Sequence, residues 1–333
     1  MDFTFLLCSE RSGSNLITRL MDNHSQYCGP SPTHAMRIVL ENAAGYGDLQ
    51  DPGNWELLIE DIADLFQAKM GVWATRWTRS ELLQITTPGD LSGLFRAFFE
   101  REARGHHKNR LFVKENHLYR QWDFIRRHFP EARFVWLVRD PRDMALSWKK
   151  SPNLRGCAIR SASIWQQDQS ACLSLYHQLE NRPFILKIHY EDLVADTPAT
   201  LRKVCTFLDI PYESGMQSLE KNALGVANAR RNPDWENTQK AVMKKNFNKY
   251  REGLSEEEIR YVEAVCHREM SELHYWPDFE IGEEAALREK IAPLELHEKP
   301  AYQKLPPEER EKRREWGAVV NRIRSRREVV HVG

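Results

Sequence analysis

Short apolar runs alternate with amphipathic segments along most of this chain of 333 residues. Four runs are rich in aromatic and β-branched side chains and have the length of buried strands: residues 3–7, 110–114, 132–138 and 184–188. The segments between them carry apolar side chains every three or four residues, as at spacings of 4, 3 and 4 in residues 118–129, which predicts helices. This order predicts an α/β fold, a three-layer sandwich with a mostly parallel central sheet flanked by helices.

Two long segments interrupt the alternation. Residues 30–108 carry helical patterns, and we expect this excursion to build a binding site on the sheet. Residues 279–333 are highly charged, contain prolines, and place Trp316 and Ile323 on one side of a helix. That helix packs on the body, packs on a partner subunit or lies in solvent, and the solvated arrangement is favoured. We therefore expect one domain over residues 1–278, followed by a helical tail.

The stretch C-S-E-R-S-G-S-N at residues 8–15 follows the first apolar run directly and opens a helix. A strand that turns on a glycine into a helix points backbone N–H groups and the positive end of the helix dipole at one place, where a phosphate or sulfate fits. Arg11 is the cation in this turn. The loop lacks the G-x-x-x-x-G-K-[ST] pattern of ATP-dependent enzymes, and the alternative to an anion site is an ordinary glycine turn.

A second cation follows the apolar run at 132–138. Arg139 comes directly after this run, Asp140 suits the N-cap of the next helix and Pro141 suits its first turn. Arg139 is therefore expected at the carboxyl end of a strand, where ligands of open α/β sheets bind. Ser147 lies about two helical turns further on, so it reaches the same anion if the helix runs alongside it. Either residue taken alone is more simply an exposed polar side chain.

Together the two segments resemble the motifs of sulfotransferases that use 3′-phosphoadenosine-5′-phosphosulfate (PAPS), in their bacterial and tyrosylprotein-type branches. The run R-S-G-S-N at 11–15 resembles the family's loop [K/R]-S-G-[ST]-[ST], with Asn15 where a hydroxyl residue is commoner. The run R-D-P-R-D-x-x-x-S at 139–147 resembles the second motif at the same spacing. Three more resemblances follow in order: K-E-N-H with F-P-E-A-R-F within 114–134, Y-E-D-L with F-L-D-I-P within 190–211, and N-K-Y-R before L-S within 248–255.

The resemblance covers about residues 3–276 and implies a P-loop-like fold and transfer of a sulfuryl group from PAPS to an acceptor hydroxyl, with PAP as product. It implies that the 5′-phosphosulfate is bound by the loop residues Arg11, Ser12, Gly13, Ser14 and Asn15. It implies that the 3′-phosphate is bound by Arg139 and Ser147, and that the nucleotide is covered by Tyr190 and Lys249, with Arg230 and Arg231 nearby. The charge on the departing phosphate is expected to be stabilised by Arg11 and Lys114.

An acceptor hydroxyl also needs a base, and here the chain departs from the tyrosylprotein-type enzymes. Those enzymes carry a carboxylate just after a C-G pair, whereas the run C-G-P-S-P-T-H at 28–34 has none. His34 is the nearest titratable group, and an imidazole suits the task. His117 competes, because small-molecule members of the family use a histidine shortly after the strand-end lysine. Glu41 is a third candidate, and the choice stays open.

The composition of the chain limits the classes of molecule that we expect it to bind. The formal net charge is zero and the pI is about 7.2, so nothing favours nucleic acid or an anionic membrane as a partner. No run approaches the ~18 apolar residues of a membrane span, and the first apolar run begins at Phe3, which leaves no room for a signal or anchor before it. We therefore expect a cytoplasmic protein. Six scattered cysteines without a C-x-x-C pair favour reduced thiols over a zinc site, and sulfuryl transfer from PAPS requires no metal.

The acceptor is expected to be a small molecule or a carbohydrate rather than a peptide tyrosine, bound by the excursion at 30–108. Within it, Trp73 and Trp77 lie one helical turn apart; they either line the acceptor pocket or, as favoured here, belong to the core. Two alternative functions stay open: a P-loop-type nucleotide kinase, and a protein that binds PAP or PAPS without turnover. A homo-oligomer is compatible with the sequence.

Overall fold

The computed structural model describes residues 1–69, 71–151, 154–179, 183–222, 225–228, 240–296 and 307–329. Its centre is a five-stranded sheet in the order β2-β3-β1-β4-β5, and each pair of neighbouring strands in it is parallel. The strands are β1 (Asp2–Cys8), β2 (Tyr27–Cys28), β3 (Arg110–Lys114), β4 (Arg133–Val138) and β5 (Ile185–His189). The parallel sheet predicted from the apolar runs is confirmed; the two-residue β2 is too short for a pattern to reveal.

Helices follow most strands, as the alternation predicts. The first seven are α1 (Ser14–Asp22), α2 (Ala35–Asn42), α3 (Pro52–Gln67), α4 (Arg79–Ile85), α5 (Leu91–Gly105), α6 (Trp122–His128) and α7 (Pro141–Lys150). The others are α8 (Ala158–Leu179), α9 (Tyr190–Ala195), α10 (Thr197–Leu208), α11 (Tyr250–Gly253), α12 (Glu256–Glu272), α13 (Glu284–Leu296) and α14 (Pro307–Val329). Within the described ranges, no helix is both long and apolar enough to cross a bilayer.

The sheet separates two hydrophobic cores, which gives the three layers. Phe5 and Leu7 of β1 point into the larger core, and Leu6 and Cys8 point into the smaller one, because side chains of a strand alternate between its faces. The smaller core is closed by α1, α9 and α10, and the larger one by the helices of the excursion together with α7, α8 and α12. The three-layer sandwich predicted from the sequence is confirmed.

The register of the sheet brings the strand ends together. Leu6 of β1 pairs with Lys114, the last residue of β3, and Cys8 pairs with Leu137 of β4. The loops that follow β1, β3 and β4 therefore leave the same edge of the sheet side by side. This carboxyl edge carries both of the cationic loops identified in the sequence.

The excursion at 30–108 is mostly core. Trp73 and Trp77 are 7% and 5% exposed and pack among Phe66, Phe98 and Phe99. The Trp73 indole N–H donates to the carbonyl oxygen of Ser31 at 2.7 Å, and the Arg101 guanidinium stacks on Trp77 at 4.2 Å. The two tryptophans are buried core residues that hold the excursion together, which agrees with the favoured interpretation.

The C-terminal helix α14 packs on the body instead of lying in solvent. Val320 and Ile323 are buried against α2 and α3, on the side of the helix that the sequence shows to be apolar. The buried carboxylate of Asp61 on α3 accepts hydrogen bonds from Arg322 at 2.7 Å and Arg326 at 3.1 Å. The favoured solvated arrangement is therefore wrong, because a buried acid some 260 residues earlier supplies a partner that a local pattern does not reveal.

Candidate active site

A cavity of about 500 Å³ opens at the carboxyl edge of the sheet. Its floor is the loop after β1, together with the strand-end cations Lys114 and Arg139, and Ser147 of α7 faces the same space. Tyr190, which directly follows β5 at the start of α9, also lines the cavity. Four chain segments that are distant in sequence thus meet in one concave site, which is where ligands of this architecture bind.

The loop after β1 has the geometry of an anion site. Gly13 has φ 91°, a left-handed conformation that favours glycine, and it precedes the first residues of α1. A Cβ at Gly13 would collide with the ring of Tyr190, so the glycine also permits this close packing. The backbone N–H groups of Ser14 and Asn15 belong to the first turn of α1, where no intrahelical acceptor exists, and both residues line the cavity.

Ser12 departs from the expectation for this loop. It is buried, and it is not among the residues found lining the cavity. Its hydroxyl donates to the carbonyl oxygen of Ser9 at 2.7 Å, and its backbone N–H faces the same oxygen at 3.4 Å. Ser12 therefore shapes the turn, and its expected direct contact with an anion is not supported by this geometry.

Arg11 and the second cationic segment are in direct contact. Arg11 Nε donates to Ser147 Oγ at 3.1 Å, across 136 residues of chain. Arg139 Nη1 donates to the backbone carbonyl oxygen of Arg11 at 2.8 Å. The loop after β1 and the start of α7 therefore form one unit with two guanidinium groups.

Arg139 is held on several sides. Its guanidinium lies over the Tyr190 ring at 4.3 Å, and its carbonyl oxygen accepts a hydrogen bond from the Trp165 indole at 2.9 Å. Asp140 caps α7 by accepting from the backbone N–H of Arg142 at 2.8 Å, as predicted. Arg139 Nε is buried and has no hydrogen-bond partner among the described residues, so it is available for a ligand oxygen.

Lys114 is the third cation of the site. It is buried at the end of β3 and lines the cavity. Burial lowers the pKa of its ammonium group, while the nearby carboxylates of Glu10 and Glu115 act in the opposite direction. Asn116 donates to Glu10, and both residues line the cavity next to Lys114. An anion bound in the cavity would stabilise the charged form of Lys114, because an opposite charge favours it.

His34 lines the cavity at the start of α2. Burial, followed by the charges of Lys114 and Arg37, lowers the pKa of His34 well below its ordinary value. Its Nδ1 is buried without a hydrogen-bond partner in the described part of the chain. The hydroxyl of the preceding Thr33 donates to the buried carboxylate of Glu115 at 2.9 Å, which fixes the turn that presents the imidazole. The site thus holds a neutral imidazole, a form able to accept a proton.

The other two candidate bases lie elsewhere. His117 Nδ1 is 3.0 Å from Asp168 Oδ1, and the same oxygen accepts from the Tyr119 hydroxyl at 2.9 Å. Glu41 pairs with Arg37 at 3.4 Å. Neither His117 nor Glu41 is among the residues found lining the cavity, whereas His34 is.

The late segment contributes different residues from those expected. Lys249 is exposed and is not found in the cavity lining. Asn246 lines the cavity and donates to the Tyr190 hydroxyl at 2.7 Å, and Val242 and Met243 lie beside it. Arg230 and Arg231 lie outside the described residues. An asparagine three residues before the lysine carries no signal in sequence.

The remaining wall is largely apolar, and much of it comes from outside the excursion at 30–108 that the sequence indicated. Of the excursion, Pro32 and His34 line the cavity; Leu154 comes from the segment after α7. Arg313, Trp316 and Gly317 of α14 complete the wall. The apolar side of α14 is visible in the sequence, but its position beside the sheet edge is not.

The described residues contain no cluster of three or more His, Cys, Asp or Glu side chains arranged to hold a metal ion. All six cysteines are buried.

Comparisons with known proteins agree with this geometry. The model of the sulfotransferase family matches residues 4–214, which is more than half of the chain. No curated protein sequence matches. Among solved structures, the sulfotransferase domain from the curacin biosynthetic pathway is 17% identical with a TM-score of 0.56, covering 83% of this chain and 98% of that domain. The sulfotransferase domain from the Synechococcus PCC 7002 olefin synthase is 16% identical with a TM-score of 0.58, covering 83% and 95%.

The P-loop-like α/β sheet places the cavity at its carboxyl edge, which is where nucleotides bind in open α/β folds. The chain belongs to the sulfotransferase family. It is a PAPS-dependent enzyme that transfers a sulfuryl group, with PAP as the second product. This assignment favours the sulfotransferase over the nucleotide kinase that the sequence left open. The two solved domains establish the likeness of fold, not of acceptor.

Proposed function

We propose that this sulfotransferase acts on the hydroxyl group of a small molecule or carbohydrate, with His34 as the base, and that it needs no metal ion. The support for a small acceptor is the site itself. A cavity of about 500 Å³ must accept both the nucleotide and the acceptor, and it lies within the range of small-molecule pockets.

The contact that carries the proposal is the one between the two cationic segments. Because Arg11 bonds Ser147 and Arg139 bonds the Arg11 backbone, one ligand with two phosphate groups can touch both segments at once. We place the 5′-phosphosulfate at Arg11 and at the backbone N–H groups that open α1, where the helix dipole favours an anion. We place the 3′-phosphate at Arg139 and Ser147, with Tyr190 beside it.

The transfer step follows from this placement. The acceptor oxygen attacks the sulfur of PAPS in line with the 5′-phosphate oxygen, so that one S–O bond forms as the other breaks. Negative charge grows on the departing phosphate, and Arg11 and Lys114 stabilise it there. The acceptor proton passes to the neutral imidazole of His34. The products are the sulfate ester, PAP and a proton that His34 releases to water.

Labelled PAPS tests the function directly. The purified chain is incubated with ³⁵S-labelled PAPS and a metabolite extract, and the labelled product is identified by mass. We expect a sulfated small molecule, formed equally well in the presence of EDTA. Calorimetry with 3′,5′-ADP (PAP) measures the nucleotide site separately. Absence of heat in that titration would refute the proposed donor site, and a requirement for a divalent metal would refute the mechanism.

Replacement of Arg139 tests the 3′-phosphate contact. Arg139→Gln removes a charge-assisted contact, so we expect PAP affinity to fall by about 1–3 kcal/mol, roughly 5- to 150-fold. Arg104→Gln is the matched control, because Arg104 pairs with Glu100 on the surface and is 66% exposed. Equal PAP affinity in the two variants would contradict the assignment.

A further inference from the structure

Helix α14 lies outside residues 4–214, which the family model matches, yet it forms part of the active-site cavity. The buried side chains of Val320 and Ile323 pack α14 against the core. One to two turns earlier in the helix, the cavity is lined by Arg313, Trp316 and Gly317. These positions follow a spacing of three and four residues, so they share one side of the helix. The same face that anchors the helix therefore extends over the site.

Trp316 stands at the end of the cavity where chemistry is expected. Its ring centre is 6.4 Å from that of His34, with the planes at 70°. Leu154, Val242 and Met243 line the same cavity. An acceptor whose hydroxyl reaches His34 therefore meets an indole and aliphatic side chains, and a flat apolar skeleton fits such a wall.

Charge indicates a second feature of the acceptor. Among the described lining residues, four are cationic, namely Arg11, Lys114, Arg139 and Arg313, and one is acidic, namely Glu10. Under the proposed function the first three bind the nucleotide, and Glu10 accepts from Asn116. Arg313 belongs to α14, one turn before Trp316, and the proposed nucleotide contacts do not include it. It is placed to pair with an acid group on the acceptor.

We propose that α14 selects the acceptor: a hydroxylated, flat, apolar molecule that carries an acidic group, with its skeleton against Trp316 and its acidic group at Arg313. This proposal rests on the proposed sulfotransferase function and deepens it. It also assigns a role to the C-terminal helix, which forms part of the cavity wall beside His34.

The test uses the full chain saturated with PAP, and two probes that differ by one acidic group: 2-naphthol and 6-hydroxy-2-naphthoate. Calorimetry measures the binding of each probe, and labelled PAPS measures its sulfation. We expect both probes to bind, the naphthoate about tenfold or more tightly, because a charge-assisted contact is added. If neither probe binds while PAP does, the proposal fails and the proposed nucleotide site stands. If PAP itself does not bind, the proposed function fails first.

Three variants separate the parts of the wall. Trp316→Ala should weaken both probes at least about threefold. Arg313→Gln should weaken the naphthoate alone, and Arg314→Gln, whose side chain is 76% exposed next to it, should change neither probe. Equal effects of the two arginine variants, or unchanged binding in the tryptophan variant, would overturn the proposal.

Gly317→Leu provides a variant that is not expected to disturb folding. A Cβ at Gly317 meets no atom within 4 Å, so the new side chain has room to extend into the cavity. We expect it to block both probes while leaving PAP affinity unchanged. Gly215→Leu is the matched control, because a Cβ at Gly215 also meets no atom within 4 Å and Gly215 is not found in the cavity lining. Normal probe binding in the Gly317 variant would exclude the acceptor from the α14 wall.

Discussion

His34 has a left-handed backbone conformation at the start of α2. Its φ is 57°, in the left-handed region, and Arg11 and His117 at the same edge of the sheet have φ values of 63° and 59°. Residues other than glycine are uncommon there, because the Cβ crowds the backbone, and such conformations persist where the surroundings hold them. At His34 the Thr33–Glu115 hydrogen bond provides this support.

The proposed base can be tested by a pH profile. His34→Asn should lower kcat by about 10²- to 10⁴-fold and leave PAP affinity near normal, since the imidazole takes a proton without binding the nucleotide. Because the pKa of His34 is lowered, the wild-type rate should fall only below pH 6.5, and this acid limb should vanish in the variant. His117→Asn is the comparison. A larger loss of kcat in that variant would assign the base to His117 instead.

The buried carboxyl group of Glu191 should make the free energy of unfolding depend on pH. Burial raises the pKa of this carboxyl group to about 7, while it accepts from the Asp140 backbone N–H at 3.0 Å and from the Tyr275 hydroxyl at 2.8 Å. A raised pKa in the folded state means that stability is complete below the unfolded value of 4.5 and is lost as the pH rises through about 7. At about 1.4 kcal/mol per pH unit, this rise corresponds to about 3 kcal/mol.

Between pH 5 and pH 8, the unfolding free energy of the wild-type protein should therefore fall by about 3 kcal/mol more than that of the Glu191→Gln variant. Urea denaturation at several pH values measures it. Glu280→Gln, at an exposed position, is the control and should retain the wild-type profile. An unchanged profile in the Glu191 variant would show that this carboxyl group does not titrate as its burial implies.

At the scale of elements, the position of α14 depends on hydrogen bonds to the buried carboxylate of Asp61. Asp61 on α3 accepts from the Tyr46 hydroxyl at 2.7 Å in addition to Arg322 and Arg326. The two arginines are 42% and 31% exposed, so water can replace part of these contacts when they are lost. The hydrogen bonds of Asp61 therefore orient α14 more than they stabilise the whole molecule, while Val320 and Ile323 supply apolar burial.

Asp61→Asn should loosen α14. We expect a loss of about 1–3 kcal/mol in unfolding free energy and faster hydrogen exchange in peptides spanning Pro307–Val329, because charge-assisted hydrogen bonds to a buried acceptor are removed. Asp64→Asn is the control, since Asp64 is 40% exposed and its pair with Arg322 should contribute less than about 1 kcal/mol. Equal exchange of α14 in both variants would contradict the anchoring role of Asp61.

At the scale of the whole molecule, the cavity is lined by distant segments of the chain, so a ligand that contacts several of them at once should stabilise the folded state. A nucleotide that binds the folded form at 100 times its dissociation constant should stabilise the protein by about 2.7 kcal/mol. PAP should therefore raise Tm by several degrees, and 5′-AMP at equal concentration should raise it less, because it lacks the 3′-phosphate placed at Arg139. Equal shifts with the two nucleotides would contradict a separate site for that phosphate.

Much of this molecule could be predicted from local patterns. Alternating strand and helix periods determined the parallel three-layer fold, since they depend on residues a few positions apart. The strand–loop–helix segments at Arg11 and Arg139 predicted that these two residues meet, because the carboxyl ends of parallel strands share one edge. The family motifs in order identified a sulfotransferase, which the family model bears out.

Only the tertiary structure decided which residues complete the cavity. The tertiary structure places His34 in the cavity lining and pairs His117 with Asp168. Asn246 lines the cavity, whereas the expected Lys249 does not. The fold also sets α14 against α3 and turns Trp316 towards the site. These contacts join residues far apart in the chain, and their free energies depend on burial and on partners that exist only after folding. No spacing within the sequence encodes them.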